Sequence, residues 1–318
     1  MYLYRIHIAT FLPFRTYNTD NQLIIDTRYV SFSPVFPRNE YFADRRSVDL
    51  LHDSRGYLWI GTEGGLCRYC VETGTFVGVN TSGGERIDTK VGCIREDRDG
   101  LIWLTLKSKG IWSFNPESGE FRNYLHDLSG ETPAPKINTF IIDSSGSFII
   151  SEYCRGLYIC RDGFTSIEPV TVSGFDFSSD NIPCLLSGER NSFYACSTTY
   201  GLCEMFPYSG KASVLIPLGK GVQPKGLAMD TEGGKLYMAT SAGFYSLSLK
   251  DGEKICRNLS NTFGLPSDNF SCVGVSHSGA LLVSPDSGNI YLLTSSEGLL
   301  KLDRDCSTLE KVSFSGVP

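Results

Sequence analysis

The sequence predicts an all-β fold, a seven-bladed β-propeller built from four-stranded antiparallel blades, on three observations. Short apolar runs alternate with glycine-containing turns through most of the chain. The turn and strand anchors return after 44 or 45 residues: Asp53, Gly56, Trp59, Gly65 and Gly74 are followed by Asp97, Gly100, Trp103, Gly110 and Gly119. No stretch keeps a helical apolar period over four turns.

The clearest unit runs from Val48 to Phe76. Val48, Leu50 and Leu51 open an apolar strand, and Asp53 to Gly56 closes it, since aspartate bonds backbone two residues on and glycine accepts a positive φ. Leu58-Trp-Ile60 is aromatic and β-branched and reads as a second strand. Gly61, Gly64 and Gly65 surround Thr62 and turn the chain again. Leu66 to Val71 makes a third strand before Thr73-Gly74 leads to Phe76. A lone antiparallel sheet of this kind leaves two faces and two edges unburied, which repetition remedies.

The copies follow in order. The third unit has Asp143, Gly146, Ile149 in the tryptophan's place, and Gly156-Leu157. The fourth is worn, with Asn191, Tyr194 and Gly201-Leu202. In the fifth, Gly234 to Phe244 matches Gly56 to Leu66 position for position. The sixth offers Gly279, Leu282 and Gly288, and Gly288 to Thr294 competes for its second strand. At the amino-terminal end, Asn21 to Thr27 reads as a seventh copy, with Leu23 to Ile25 as its second strand. Seven units anchored near 21, 56, 100, 146, 191, 234 and 279 are then expected to form one domain spanning 1–318, with a ring around a central channel.

Composition limits the function. The net charge of -6 and charged fraction of 20% argue against nucleic acid, which calls for a basic stripe. Eleven cysteines, an odd number, stand at 67, 70, 93, 154, 160, 184, 196, 203, 256, 272 and 306. Cys67 and Cys70 have the spacing of a metal or redox pair, but residues three apart on a strand point to opposite faces. They read as small apolar packing residues, and their number suits a reducing compartment better than an oxidising one. Met1 to Phe14 lacks the continuous apolar region of a signal peptide. No run of 18 apolar residues occurs, so no membrane span is expected.

No catalytic constellation is visible, so the chain is not expected to be an enzyme. Asp53, Asp97 and Asp143 sit on turns, where bonds to backbone account for them. His7, His52, His126 and His277 have no metal-ligand spacing, and neither a metal nor a cofactor is expected. Trp59, Trp103 and Trp112 are expected to pack between blades.

In a propeller the loops joining second to third strands share one face with the links between blades. Here those loops vary most, and they carry Glu63, Lys107, Lys109, Glu152, Tyr153, Arg155 and Tyr200. These seven are the candidate ligand-binding residues. Planar polar and aromatic groups suit sugar hydroxyls and rings, and the cations suit an acidic glycan.

Asp53, Gly56, Leu58, Trp59, Ile60, Gly61, Thr62, Gly65, Leu66 and Arg68 resemble the two-component regulator propeller repeat. Phe263 to Ser267 resembles that family's linker between blades, and related repeats run from about residue 20 to about residue 300. The resemblance implies a sensor region of a hybrid two-component system that controls glycan utilisation, and a periplasmic location. It further implies a second propeller, a small β-sandwich domain, a membrane span and kinase modules in the same polypeptide. A homodimer is compatible with that role. The chain starts inside an imperfect repeat and stops at Gly316 to Pro318 with no evident cap, which suits a fragment of such a protein. Two alternatives remain at this stage: a stand-alone cytoplasmic propeller serving as a protein-interaction scaffold, and a propeller hydrolase or lyase, to be recognised by acids or histidines at the channel mouth.

Overall fold

The structure is a computed structural model and describes residues 4–8, 30–34, 47–70, 75–79, 87, 89–124, 135–231, 234–249, 255–259, 269–275, 281–285, 299–302 and 309–312. The element between successive turn motifs is a four-stranded antiparallel meander. Blade A comprises Ser47–His52, Tyr57–Thr62, Gly65–Cys70 and Thr75–Gly78. Blade B comprises Val91–Glu96, Ile102–Leu106, Gly110–Phe114 and Phe121–Asn123. Blade C comprises Ile137–Ile142, Phe148–Glu152, Gly156–Arg161 and Ser166–Pro169. Blade D comprises Cys184–Ser187, Phe193–Ser197, Gly201–Phe206 and Lys211–Ile216. Blade E comprises Pro224–Asp230, Lys235–Thr240, Gly243–Ser248 and Cys256–Asn258. A last sheet, F, comprises Phe270–Val275, Leu281–Pro285, Leu299–Leu302 and Leu309–Val312.

First strands contact first strands from A through to F, the arrangement of propeller blades around an axis. Burial follows from that arrangement. Second strands are covered on both faces by neighbouring blades, and every residue of Ile102–Leu106 and of Phe193–Ser197 is buried. Outer strands face solvent, as in Ser166–Pro169. Burying one Ile or Phe side chain in such a layer contributes roughly 1.5–3 kcal/mol.

The cores lie between blades. Trp59 of blade A meets Phe114 of blade B edge-on at 5.5 Å, among Val91, Ile94 and Leu104. Trp103 of blade B packs against Phe148 and Phe164 of blade C, with ring centroids 4.6 and 5.7 Å away. Trp112 is half-buried at the edge of the A–B core and contacts Phe121 at 6.4 Å. Ile149, in the tryptophan slot of blade C, lies in a cluster with Leu185 and Phe193 of blade D.

The turns follow the chemistry of their residues. Asp53 Oδ1 accepts the backbone N–H of Arg55 and Tyr57 at 3.0 and 2.8 Å, and Gly56 takes φ +84°. Asp97 and Asp143 repeat the device with Asp99 and Leu101, and with Ser145 and Ser147. At the next turn, Thr62 Oγ1 donates to Gly65 O and accepts from Gly64 N–H. Thr240 makes the same pair of bonds with Gly243 and Ala242.

The expected count of seven four-stranded blades is corrected by the structure. Five such blades, A to E, follow one another from Ser47 to Asn258, and sheet F follows them. Ahead of them the described residues form only a two-stranded sheet, Tyr4–Ile8 with Val30–Pro34. Leu23 to Ile25, expected as a second strand, lies outside the described residues. The physical reason is local: Asn21 stands where Gly56 closes one turn, and Val30 stands where Gly65, at φ +141°, closes the next. A β-branched residue is excluded from that backbone region, so the segment from Val30 does not turn back as Gly65 does and pairs with Tyr4–Ile8.

In sheet F the second strand is Leu281–Pro285, which contains Leu282. Gly279, the rival segment from Gly288 to Thr294, and the linker-like Phe263 to Ser267 lie outside the described residues.

Candidate functional site

One mouth of the propeller is built by the loops after the second strands and by the residues that lead into the first strands. The backbone joins the two sets. Lys107 N–H donates to Lys90 O at 2.9 Å, Tyr153 N–H to Lys136 O at 2.8 Å, Thr198 N–H to Asn181 O at 3.1 Å and Ser241 N–H to Gln223 O at 2.8 Å. Each loop is thereby clamped to the start of its own blade.

First strands carry a pairing irregularity near this mouth in blades A, B, C and E and in sheet F. A bulge re-aims the extra residue out of the ladder. Asn138 in blade C accordingly reaches Asn181 Oδ1 ahead of blade D at 2.8 Å, and Lys225 Nζ in blade E reaches Asn269 Oδ1 at 2.9 Å.

The seven candidate residues fall into three groups. Glu63 is half-buried and forms an ion pair with Lys90 Nζ at 2.7 Å, which ties the blade A loop to the start of blade B. Tyr200 packs edge-on against Phe175 and Phe177 at 5.1 and 5.2 Å, and its hydroxyl accepts Asp176 N–H at 3.1 Å. It pins the link between blades C and D. Lys107, Lys109, Glu152, Tyr153 and Arg155 belong to the adjacent loops of blades B and C, where Arg155 lies 3.8 Å from Glu152 and the Tyr153 ring is 51% exposed.

Those two loops also differ in backbone. Blades A and E have threonine at the end of the second strand and glycine three residues on. Blades B and C end it with Leu106 and Glu152, and place Ser108 at φ +58° and Cys154 at φ +55°. Non-glycine residues in the left-handed region cost of order 1–3 kcal/mol and gather at functional sites. Lys107, Lys109, Tyr153 and Arg155 flank these two residues.

Two cations at this mouth, Lys90 and Lys136, were not among the seven. Both immediately precede first strands, and their 46-residue separation close to the repeat length was the available signal. Among the described residues Lys107, Lys109 and Lys136 have no ion pair, and all three are exposed. A basic surface on blades B and C therefore stands out against the chain's net charge of -6.

At the opposite mouth, between the turns that join first to second strands in blades B, C and D, a cavity of about 350 Å3 opens. None of the seven candidates lines it. Among the described residues no three His, Cys, Asp or Glu are grouped to hold a metal ion. Cys67 is buried with Ile60 and Tyr69 in blade A, whereas Cys70 is half-buried. No helix among the described residues is long and apolar enough to cross a membrane.

Residues 41–64 match the two component regulator propeller family. No curated protein matches the chain. Among solved structures it is similar to the extracellular domain of BT4673 from B. thetaiotaomicron, described as a putative one component and as a putative hybrid two component system. Identity is 17 and 18% in the two structures, the TM-score is 0.66 in both, and the match covers 80% of this chain and 33% of that one. It is also similar to PorZ, an essential surface component of the type-IX secretion system of Porphyromonas gingivalis, at 15% identity and a TM-score of 0.57, over 79% of this chain and 39% of that one. U3-55K shares the fold at 11% identity and a TM-score of 0.60, over 86% and 82%. The chain spans about a third of the length of the BT4673 domain. With the aspartate turn, the buried tryptophan and the threonine–glycine turn all inside or beside the matched segment, the chain is a β-propeller protein that carries the two component regulator propeller repeat.

Proposed function

We propose that residues 1–318 are one propeller domain, the ligand-sensing module of an extracytoplasmic hybrid two-component sensor. Its ligand is a glycan with acidic groups, bound on the loops of blades B and C. The reading rests on the basic surface there: three lysines without ion pairs among the described residues, Lys107, Lys109 and Lys136, beside the exposed ring of Tyr153. Guanidinium and ammonium groups favour carboxylate or sulfate, and an exposed tyrosine offers a face to a sugar ring. The resemblance of the fold to BT4673 supports the sensor role, a periplasmic location, and a second propeller and kinase modules elsewhere in the polypeptide. Homodimerisation fits the same role. The chain itself carries no catalysis in this reading.

The test is binding of chondroitin sulfate, with neutral dextran as control, to the parent chain and to Lys107→Gln/Lys109→Gln/Lys136→Gln. Binding by the parent that weakens about tenfold or more in the triple variant and falls with added salt supports the reading. Equal binding of both polymers, or a triple variant that binds as well as the parent, overturns it.

A further inference from the structure

The cavity at the opposite mouth is independent of that basic surface. Turns there are laced from blade to blade. Ser54 in the blade A turn bonds Glu96 of blade B through its N–H and hydroxyl at 2.8 and 2.6 Å. Ser144, in the equivalent slot of blade C, bonds Asn191 of blade D at 2.8 Å. Arg98 holds that slot in blade B, and among the described residues it makes no hydrogen bond or ion pair to blade C. The cavity opens there.

Arg190, from the blade D turn, lines the same cavity. It too is exposed and has no partner among the described residues. Its backbone is held at φ +52°, followed by Asn191 at φ +62°, a left-handed conformation that Cβ disfavours and that asparagine tolerates better than arginine does. A strained arginine over a cavity is an observation that calls for a function.

The remaining walls complete the chemistry. Glu96 and Asp97 accept hydrogen bonds from Ser54, from Asp99 and Leu101 N–H and from Trp103 Nε1. A carboxylate accepts about four such bonds, so each keeps capacity for a hydroxyl donor. Ile149 and Phe193 supply an apolar wall. The volume of about 350 Å3 falls within the range of about 300–1,000 Å3 that small-molecule sites occupy.

We infer that this cavity is a second ligand site, for a sugar acid of one or two rings. Its carboxylate meets the Arg98 and Arg190 guanidiniums, its hydroxyls donate to Glu96 and Asp97, and its carbon face lies on Ile149 and Phe193. Glu96, Asp97 and Asp143 of the same lining offset the arginines' charge, but only a carboxylate on the ligand gives the two guanidiniums a hydrogen-bonded acceptor. A neutral sugar leaves them without one, and a simple anion leaves the apolar wall unused.

The experiment is calorimetric titration of the full chain with D-glucuronate, with D-glucose as the ring that lacks the carboxylate. Expected are binding of glucuronate, glucose about tenfold weaker or more, and loss of glucuronate binding in Arg98→Gln/Arg190→Gln. Arg190→Gly separates function from folding: glycine is at ease at φ +52°, so this variant is expected to melt no lower than the parent while glucuronate binding weakens. Glucuronate binding that disappears in Lys107→Gln/Lys109→Gln/Lys136→Gln and survives in Arg98→Gln/Arg190→Gln places the ligand on the basic surface and overturns the inference. Absence of glucuronate binding at millimolar concentration, equal binding of glucose, or unchanged affinity in the double arginine variant overturns the inference.

Discussion

The Tyr208 hydroxyl donates to Asp143 Oδ2 at 2.5 Å, across the boundary between blades C and D. In blades A and B the corresponding carboxylate oxygen accepts an indole N–H from the blade's own tryptophan, Trp59 to Asp53 at 2.8 Å and Trp103 to Asp97 at 2.6 Å. Blade C has Ile149 in that slot, and the acceptor is filled by the neighbouring blade. One oxygen of each aspartate holds the turn's amides, and the other ties the turn to an aromatic side chain.

Removing that tie should cost most where it is buried. Asp53 is 2% exposed and Trp59 fully buried, so Trp59→Phe leaves a buried carboxylate oxygen without its donor, at a cost of about 1–3 kcal/mol. Tyr208 is 47% exposed, and Tyr208→Phe should cost about 1 kcal/mol or less. Urea unfolding of the two variants checks the order.

Acid should act on Asp143. Burial pushes its carboxyl up, but hydrogen bonds from Ser145, from Tyr208 and from the backbone N–H of Ser147 and Ser145 outweigh this and hold it below the usual carboxylate value. A lowered folded-state value means that the ionised form is the stabilised one. Its contribution is complete above the unfolded-state value and is lost as pH falls through the folded-state value. Melting temperature should therefore drop on acidification below the normal aspartate range, and Tyr208→Phe should drop less over that interval because part of the contribution is already gone.

Two glycines of similar φ should respond differently to alanine. Gly146, at φ +85°, has open space around the site of a Cβ, and Gly146→Ala should cost about 1 kcal/mol of backbone strain. At Gly156, φ +83°, an added Cβ would lie 2.1 Å from Phe177 O. Gly156→Ala displaces the link between blades C and D and should cost about 3 kcal/mol or more. Thermal melts of both variants decide the matter.

Thiol reactivity should follow the core. Cys154 and Cys256 are exposed, while Cys67, Cys93, Cys160, Cys196 and Cys203 are buried. Burial raises the Cys93 thiol and pushes Cys203 up to about 12, so their thiolates are scarce as well as shielded. Mass spectrometry after brief iodoacetamide treatment should find Cys154 and Cys256 modified in the native chain, and the five buried cysteines only after denaturation.

Much of each blade was legible before any coordinates. Asp53, Asp97 and Asp143 act as turn residues, and Trp59 and Trp103 pack between blades, because these roles are set by neighbours within a few residues or by a strict repeat. The match from Gly234 to Phe244 rests on the same locality. The amino-terminal unit reads as a blade although Asn21 and Val30 stand where glycines close the turns of blade A, and Val30–Pro34 pairs with Tyr4–Ile8 instead. Tyr200 resembled a loop aromatic open to ligand, yet Phe175 and Phe177, more than 20 residues upstream, cover it.

The sequence by itself determined the blade: which residues pair as strands, which turn, and which side chains leave the sheet toward its neighbours. Only the tertiary structure decided how many four-stranded sheets form, that Lys136 joins Lys107 and Tyr153 at one mouth, and that Arg98 and Arg190 share a cavity at the other. Strand and turn chemistry acts over a few bonds. Contacts between blades join residues such as Glu63 and Lys90, 27 positions apart, or Asp143 and Tyr208, 65 apart, and the space between two turns depends on side chains that no local pattern connects.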